Sequence, residues 1–263
     1  MSETTLQASS YPFLGKVISV TGAGSGIGQA TAQLLYARGA TVALADINPS
    51  TLAETARALK EVPAQQGQLI STTVVDVTNE DDVFAWTKDI ISTFGKLDGA
   101  ANIPGGTGPL GPLATRTAAN FDFTVNLNLR SVFNCMRAQL EQMQAGSSIV
   151  SVSTGLAIQA NQNMSLYCSS KGAINSLTAA AARESGPKGI RVNAVAPGVI
   201  ITPGSTGDGN LATIQPAIDV TPLGRAGQAV EVAKAIAFLL SSDACFVSGV
   251  ILRCDGGYLS LNI

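Results

Sequence analysis

The stretch TGAGSGIG at residues 21–28 decides the fold of this 263-residue chain. It follows an apolar run, KVISV at 16–20, and precedes QATAQLLYARG at 29–39, in which apolar residues recur at helical spacing. The order is therefore strand, glycine turn and helix. Glycine lets a backbone turn sharply and approach a ligand without an intervening Cβ atom. The free N–H groups and positive dipole end of a helix N-terminus suit a pyrophosphate.

The glycine spacing, G-x-x-x-G-x-G after a threonine, differs from the usual G-x-G-x-x-G of dinucleotide sites, so a simple tight turn is the alternative interpretation. TVALAD at 41–46 favours the dinucleotide, because an acid about 20 residues past such a turn accepts hydrogen bonds from ribose hydroxyls. Asp46 would also repel a 2′-phosphate, and the residues that follow it, Ile47 and Asn48, are uncharged. The sequence therefore predicts NAD as the cofactor, with NADP as the alternative.

The composition predicts a large core and excludes several classes of partner. Hydrophobic residues make up 46% of the chain, charged residues 13%, and the net charge is −2. No basic field attracts nucleic acid, and no apolar run is long enough to span a membrane. The N-terminus lacks the pattern of a secretory signal, so residues 1–14 are predicted to be a flexible tail of a cytoplasmic protein. Four cysteines without paired spacing are predicted to be reduced and buried: Cys135, Cys168, Cys245 and Cys254.

The chain has no histidine, which narrows its chemistry. Ser-His-Asp and Cys-His catalysis are excluded. Most transition-metal sites are excluded too, because no CxxC pair replaces the missing imidazoles, and no metal is predicted. Acid–base chemistry must rest on tyrosine, lysine, aspartate, glutamate or cysteine.

Strand and helix signals alternate along the whole chain, which predicts an α/β fold with a doubly wound parallel sheet of the Rossmann type in one domain, residues 15–263. The ligand crevice then lies at the carboxyl ends of the strands. Seven strands are predicted, at residues 16–20, 41–45, 69–75, 97–102, 148–152, 190–196 and 250–252. Asp76 follows the third strand, where it would either accept from an adenine amino group or simply start the next helix. Residues 102–105 follow the fourth strand and would line the crevice floor.

Tyr167 and Lys171 are spaced to share one face of a helix. A phenol has an ordinary pKa of roughly 10, and a nearby ammonium lowers it by favouring the phenolate. Such a tyrosine passes a proton to or from a carbinol oxygen while hydride moves to or from a nicotinamide. The pair follows a strand that ends in two hydroxyl residues, Ser153 and Thr154. Upstream lies a long predicted helix, 118–144, with polar residues among apolar ones: Asn126, Asn128 and Arg130.

Together these motifs resemble the short-chain dehydrogenase/reductase family over residues 15–257. TGAGSGIG resembles the family's cofactor turn and YCSSK at 167–171 its catalytic motif. NAVAPGVIITP at 193–203 resembles the segment that closes over the nicotinamide, and TPLGR at 221–225 and SGVILRCDGG at 248–257 resemble the C-terminal markers.

The resemblance implies roles for particular residues. Tyr167 would be the acid/base, Lys171 its partner, and Asn128, with Asn126 as second choice, the residue that holds a water linking Lys171 to solvent. Thr202 would contact the nicotinamide carboxamide. The helix at 118–144 and the helix after Tyr167 would pair across a two-fold axis in a homodimer or homotetramer. The predicted cofactor-binding residues are Thr21, Gly22, Gly24, Ser25, Gly26, Ile27, Gly28, Asp46, Ile47, Asp76, Val77, Asn102, Ile103, Pro104, Gly105, Tyr167, Lys171, Pro197, Gly198, Val199, Ile200 and Thr202.

Two departures from the family pattern concern the substrate side. Thr154 stands where the family usually has serine, so either Thr154 or the adjacent Ser153 would bind the substrate oxygen. NIPG at 102–105 replaces the usual N-N-A-G, and Pro104 removes a backbone donor. A lid is predicted at about 203–221, over a small and largely neutral alcohol or ketone. The predicted substrate-binding residues are Pro104, Thr154, Leu156, Gln159, Met164 and Tyr167. The alternative is an enzyme of secondary metabolism on the same scaffold: an imine reductase, a cyclase or an isomerase.

Overall fold

The main sheet has seven parallel strands in the order β3-β2-β1-β4-β5-β6-β9, in a computed structural model that describes residues 11–207 and 211–259. This confirms the predicted fold class. The strands are β1 Val17–Thr21, β2 Thr41–Asp46, β3 Ile70–Val74, β4 Gly99–Asn102, β5 Ser148–Val152, β6 Arg191–Pro197 and β9 Ile251–Cys254. A separate two-stranded sheet pairs β7 Ile200–Ile201 with β8 Gly227–Gln228.

Helices connect the strands and cover both faces of the sheet. They are α1 Gly26–Ala37, α2 Pro49–Lys60, α3 Glu80–Phe94, α4 Ala118–Val125, α5 Ser131–Gln142, α6 Ser165–Ser185, α7 Pro203–Thr206, α8 Gln215–Asp219 and α9 Ala229–Leu240. One core joins α1 and α9 to the sheet through side chains such as Leu35, Val20 and Ile236. The other joins α3, α5 and α6 to the opposite face through Trp86 and Ile174 among others.

The strand order reverses at β1, which lies between β2 and β4. In open α/β sheets, ligands bind outside the carboxyl ends of the strands at this switch point. The residues of β1 and of β4 are buried throughout, as are those of β5. Continuous burial explains why these segments are apolar runs rather than alternating ones. The sheet therefore places the ends of β1, β4 and β5 side by side beneath one crevice.

Three sequence expectations need correction. The predicted tail reaches too far along the chain: residues 1–10 lie outside the described part, but Phe13 is 2% exposed and its N–H donates to the Arg38 carbonyl. The predicted helix at 118–144 contains a π-helical turn, Asn126–Arg130, between α4 and α5. Cys245 is exposed and Cys254 only partly buried, against the prediction that all four cysteines are buried, although all four are free, as predicted. Across the two described ranges, no helix has both the length and the apolar character needed to cross a membrane.

Candidate active site

The glycine turn is shaped by close backbone contacts that a side chain would block. Gly22 has φ +67°, and a Cβ there would lie 2.8 Å from the Ile103 carbonyl oxygen. A Cβ on Gly28 would lie 1.9 Å from the Gly22 carbonyl oxygen. At Gly26, with φ +51°, it would lie 3.2 Å from Thr202. Glycine is therefore required where the turn folds on itself and where it faces the loops after β4 and β6.

The start of α1 offers unsatisfied donors to a ligand. The helix begins at Gly26, after Ser25, with no acid in its first turn and no side chain hydrogen-bonded to its cap within the described structure. The first N–H groups of a helix have no partner inside the helix, and they bind anions well. The turn therefore fits the pyrophosphate of a dinucleotide, with Ser25, Ile27 and Gly28 beside it.

Asp46 packs against the glycine turn through a hydrogen bond to Gly24. Its Oδ2 accepts a hydrogen bond from the Gly24 N–H at 2.8 Å, and its Oδ1 accepts from the Asn48 N–H at 2.9 Å. A Cβ on Gly24 would come within 2.9 Å of the carboxylate. The acid is thus fixed against the turn, with part of its surface exposed, at the place where the sequence argument puts the ribose.

Asp76 and Val77 lie beside the end of β3. Asp76 Oδ1 accepts from both the N–H and the hydroxyl of Thr78, at 2.9 and 2.7 Å. This is the helix-start role that the sequence offered as one of its two readings. The Val77 carbonyl accepts from Asn134 Nδ2 at 3.1 Å. Both residues remain partly exposed, so the adenine reading stays a prediction.

The loop after β4 is fixed by Asn128 in the π-helical turn. Asn128 is fully buried; its Oδ1 accepts from the Gly106 N–H at 3.1 Å, and its Nδ2 donates to the Gly106 carbonyl at 2.9 Å. A Cβ on Gly105 would lie 2.7 Å from Asn128 Oδ1 and 2.8 Å from Lys171 Nζ. Asn128 and Lys171 therefore both approach Gly105, and the water that would link Lys171 to solvent stays a prediction. Asn126 instead accepts from exposed Arg130.

Lys171 bridges the ends of two strands. Its side chain is 3% exposed, and Nζ donates to the Val152 carbonyl at 2.9 Å and to the Pro104 carbonyl at 3.4 Å. Burial lowers the pKa of Lys171 to about 8. Proline has no N–H, but the Pro104 carbonyl still accepts a hydrogen bond from the Lys171 ammonium, so the loop keeps its contact with Lys171.

The two hydroxyls after β5 have different surroundings, which separates their roles. Ser153 is 2% exposed and donates to the Lys171 carbonyl at 3.2 Å, beneath α6. Thr154 Oγ1 accepts from the Leu156 N–H at 3.3 Å and is hydrogen-bonded to Tyr167. Thr154, not Ser153, is therefore the hydroxyl next to the phenol, and the choice of which one binds the substrate oxygen stays a prediction.

The phenol pKa differs from the sequence expectation. Burial raises the pKa of Tyr167, and a hydrogen bond from Thr154 opposes part of that rise. The ammonium of Lys171 was expected to lower this pKa, and that expectation is wrong for the chain by itself. Lys171 points its Nζ at two carbonyl oxygens, so Thr154 is the group that stabilises the phenolate.

Three predicted cofactor-binding side chains lie inside the protein instead. Thr21 is fully buried and its Oγ1 accepts from the Ile103 N–H at 3.3 Å. Asn102 is fully buried and exchanges two amide hydrogen bonds with Gln139, at 2.9 and 2.8 Å. Ile200 is a core residue. Thr21 and Asn102 are the last residues of β1 and β4, whereas Ile200 is the first residue of β7, and all three side chains are buried in the protein.

The segment after β6 crosses the crevice near the turn. Thr202 is partly exposed and lies against Gly26, while its N–H donates to Ser205 Oγ at 3.0 Å. Gly198 packs on Asp255, and the Val199 carbonyl accepts from the Gly227 N–H at 2.9 Å. Pro197 is buried. Of the predicted lid, α7 and α8 are described, whereas residues 208–210 lie outside the described residues.

The predicted substrate residues differ in their exposure. Leu156 belongs to a short 3-10 turn, Gly155–Ala157, and is partly exposed, as is Met164 just before α6. Gln159 is exposed, whereas Pro104 is buried beside Lys171. Among residues 11–207 and 211–259, no three metal-binding side chains of His, Cys, Asp or Glu lie together.

Residues near the C-terminus were missed by the sequence reasoning. Leu259 packs on Gly155, and Asp255 and Arg253 hold Leu259 by hydrogen bonds. Gln139, the partner of Asn102, was also missed. Arg253 and Asp255 lie within the SGVILRCDGG motif, but the motif does not indicate their contacts, because these join distant parts of the chain.

Several known proteins are similar to this chain. A family model described as enoyl-(acyl carrier protein) reductase matches residues 22–259. A protein of Pyricularia oryzae named short-chain dehydrogenase/reductase ABA4 is 41% identical over 94% of this chain and 93% of its own length. The chain belongs to the short-chain dehydrogenase/reductase family.

Two further relatives carry named activities. Cyclohexanol dehydrogenase from Acinetobacter is 36% identical over 95% of this chain and 98% of its own. The crystal structure of levodione reductase superposes with a TM-score of 0.91 at 35% identity, covering 95% of this chain and 100% of that one. The chain is accordingly an oxidoreductase that acts on CH–OH groups, of a family that binds NAD or NADP.

Proposed function

We propose that this protein is an NAD-linked oxidoreductase that interconverts a secondary alcohol and a ketone on a neutral alicyclic ring, with Tyr167 as the acid/base. The observation that carries the proposal is the Tyr167–Thr154 hydrogen bond beside buried Lys171, at the carboxyl end of β5. The glycine turn, Asp46 and the loops after β4 and β6 would hold the dinucleotide, and its nicotinamide would supply the hydride chemistry.

The protein's own residues handle the proton. Thr154 Oγ1 already accepts from the Leu156 N–H, so its single proton is left to donate to Tyr167 or to a substrate oxygen. Tyr167 then gives its proton to a ketone oxygen, or takes one from an alcohol. Burial lowers the pKa of Lys171 to about 8, so its side chain keeps a positive charge at neutral pH, and the Val152 and Pro104 carbonyl oxygens accept its hydrogen bonds.

Apolar surface supports a neutral ring as the substrate. Leu156 and Met164 lie beside Thr154 and Tyr167, and further exposed apolar side chains occur on the loops after β4 and β5 and on the lid: Leu110, Leu113, Ile158 and Leu211. None of these groups would pair with an anionic substrate. A relative named for cyclohexanol agrees with this chemistry.

A substrate panel tests the function. The protein is assayed with NAD and cyclic secondary alcohols, and in reverse with cyclic ketones, beside linear alcohols and cyclic imines. We expect cyclic alcohols and ketones to give the highest kcat/KM. Turnover confined to imines would favour the imine reductase alternative, and no turnover with any alcohol or ketone would contradict the proposal.

Asp46→Ala should shift cofactor preference from NAD towards NADP. The change removes a charged acceptor for the ribose hydroxyls and the repulsion of a 2′-phosphate. The ratio of kcat/KM for NAD to that for NADP should fall about tenfold to a hundredfold, the value of one hydrogen bond to a charged group. Asp46→Asn is the matched control, because it keeps an acceptor for the Gly24 N–H. A wild-type enzyme that already prefers NADP would show that Asp46 does not select the cofactor.

We further propose a cytoplasmic homodimer or homotetramer. Support comes from large apolar side chains left exposed on α4 and α5, namely Phe121, Phe123 and Phe133. Phe133 and Met136 of α5 also line a shared groove with Leu177 of α6. Contiguous exposed apolar surface of this kind marks protein interfaces.

A further inference from the structure

The chain after β9 folds into a clamp that fixes both backbone groups of Leu259. Asp255 Oδ2 accepts from the Leu259 N–H at 3.1 Å, while its Oδ1 accepts from the Gly257 N–H at 3.0 Å. Arg253 Nη1 donates to the Leu259 carbonyl at 2.9 Å. Two charged side chains therefore set the position of one apolar residue.

The Leu259 side chain packs next to Gly155. Leu259 is 6% exposed, and its Cδ1 lies 3.3 Å from the place that a Cβ on Gly155 would occupy. The Pro197 carbonyl oxygen lies 3.4 Å from the same point. Gly155 thus lies between the C-terminal clamp and the end of β6, and an added Cβ there would meet both closely.

Gly155 directly follows Thr154 and opens the 3-10 turn Gly155–Ala157. That turn supplies the Leu156 N–H, which donates a hydrogen bond to Thr154 Oγ1. The Thr154 hydroxyl is also hydrogen-bonded to Tyr167. A displacement of about 1 Å in a reacting group can cost about 100-fold in rate. A contact that fixes the position of Gly155 therefore also fixes the position of the Thr154 hydroxyl next to Tyr167.

We propose that Leu259, clamped by Asp255 and Arg253, is a positioning residue that holds the Thr154 turn, so that the C-terminal segment 253–259 forms part of the active site. The kinetic tests of this proposal rest on the proposed function. The titration of Tyr167 described below does not.

Leu259→Ala is the first test, with Leu240→Ala as the matched control. Leu240 is also a buried leucine, 8% exposed, but it packs beside Gly99 at the opposite end of β4. We expect Leu259→Ala to lower kcat about tenfold with little change in the KM for NAD, because a loss confined to the chemical step lowers kcat without weakening cofactor binding. Leu240→Ala should change kcat less than threefold. Leu259→Met, which keeps the volume, should restore most of kcat. Equal kcat in the two alanine variants would overturn the proposal.

A double-mutant cycle tests the contact itself. Gly155 lies outside the left-handed region, so alanine meets no backbone strain there and acts through its Cβ alone. Gly155→Ala should lower kcat by crowding Leu259, and adding Leu259→Ala should recover part of the loss. Contacting residues show such coupling, whereas independent ones do not. Losses that simply multiply would contradict the inferred contact.

Titration of the Tyr167 phenol provides a readout that needs no substrate. The ultraviolet pH titration of each variant is compared with that of the same variant carrying Tyr167→Phe, which isolates this phenol from Tyr11, Tyr36 and Tyr258. In Leu259→Ala the Tyr167 titration should move to higher pH, because a displaced Thr154 stabilises the phenolate less, and in Leu240→Ala it should not move. An unmoved titration in Leu259→Ala would overturn the proposal even if no substrate is found, whereas a moved one would support it although the proposed function had failed.

Discussion

Tyr167→Phe should lower kcat for the best alcohol of the panel by about 1,000-fold, within the range that general acid–base catalysis contributes. The substitution removes only the hydroxyl that exchanges a proton with the substrate oxygen. The ring still packs in α6, so the free energy of unfolding and the Kd for NAD should change little. Steady-state kinetics, thermal unfolding and calorimetric NAD binding measure the three quantities.

The pH dependence of turnover by the wild type is a second test of the Tyr167 hydroxyl. Alcohol oxidation needs the phenolate and ketone reduction needs the phenol. Because burial raises the pKa of Tyr167, oxidation should rise with pH through that pKa and reduction should fall. Turnover of Tyr167→Phe close to that of the wild type would remove the proposed acid/base.

Thr154→Val should lower kcat about 100-fold, the loss expected when one donor to a developing charge is removed. Valine keeps the volume and the branching of threonine but cannot donate a proton. It also leaves the Leu156 N–H without its acceptor. Thr154→Ser restores the hydroxyl and should recover activity to within about tenfold of the wild type.

Ser153→Ala is the matched control for this prediction. Ser153 donates to the Lys171 carbonyl beneath α6 and has 2% of its surface exposed. Its loss should cost some stability, about 1 kcal/mol for one buried hydrogen bond, and less than tenfold in kcat. A larger kinetic loss in Ser153→Ala than in Thr154→Val would reverse the assignment of the two hydroxyls.

The sequence was sufficient for the fold because the fold depends on local patterns. The run from 16 to 20, the glycine turn and the helix after it are consecutive, and all seven predicted strands occur in the main sheet. Asp46 was also predictable, since the end of β2 necessarily lies beside the turn that follows β1.

Side-chain direction at strand ends was not predictable in the same way. Asn102 ends β4 near the crevice, yet its side chain faces α5, where Gln139 satisfies its amide. A shift of one residue reverses the side of the sheet that a strand side chain faces. Which of Ser153 and Thr154 lies next to Tyr167 depends on this same alternation, and it is seen only in the three-dimensional contacts.

Long-range packing was the second kind of missing information. Leu259 lies more than a hundred residues after Gly155, and the two meet only because β9 is placed beside β6. The π-helical turn was likewise hidden, since its sequence continues the helical apolar pattern. Asn126 and Asn128 both stood out as asparagines inside a helix, where they are unfavourable, and only the family resemblance put Asn128 first.

Isotope transfer gives the most direct test of the central claim, that Tyr167 works beside a nicotinamide in this crevice. The best alcohol of the panel is prepared with deuterium on its carbinol carbon and incubated with NAD, and the reduced cofactor is analysed by mass spectrometry. The wild type should yield reduced cofactor carrying one deuterium, and Tyr167→Phe should yield almost none. Unlabelled reduced cofactor from the wild type, or equal labelling by the two proteins, would contradict the account.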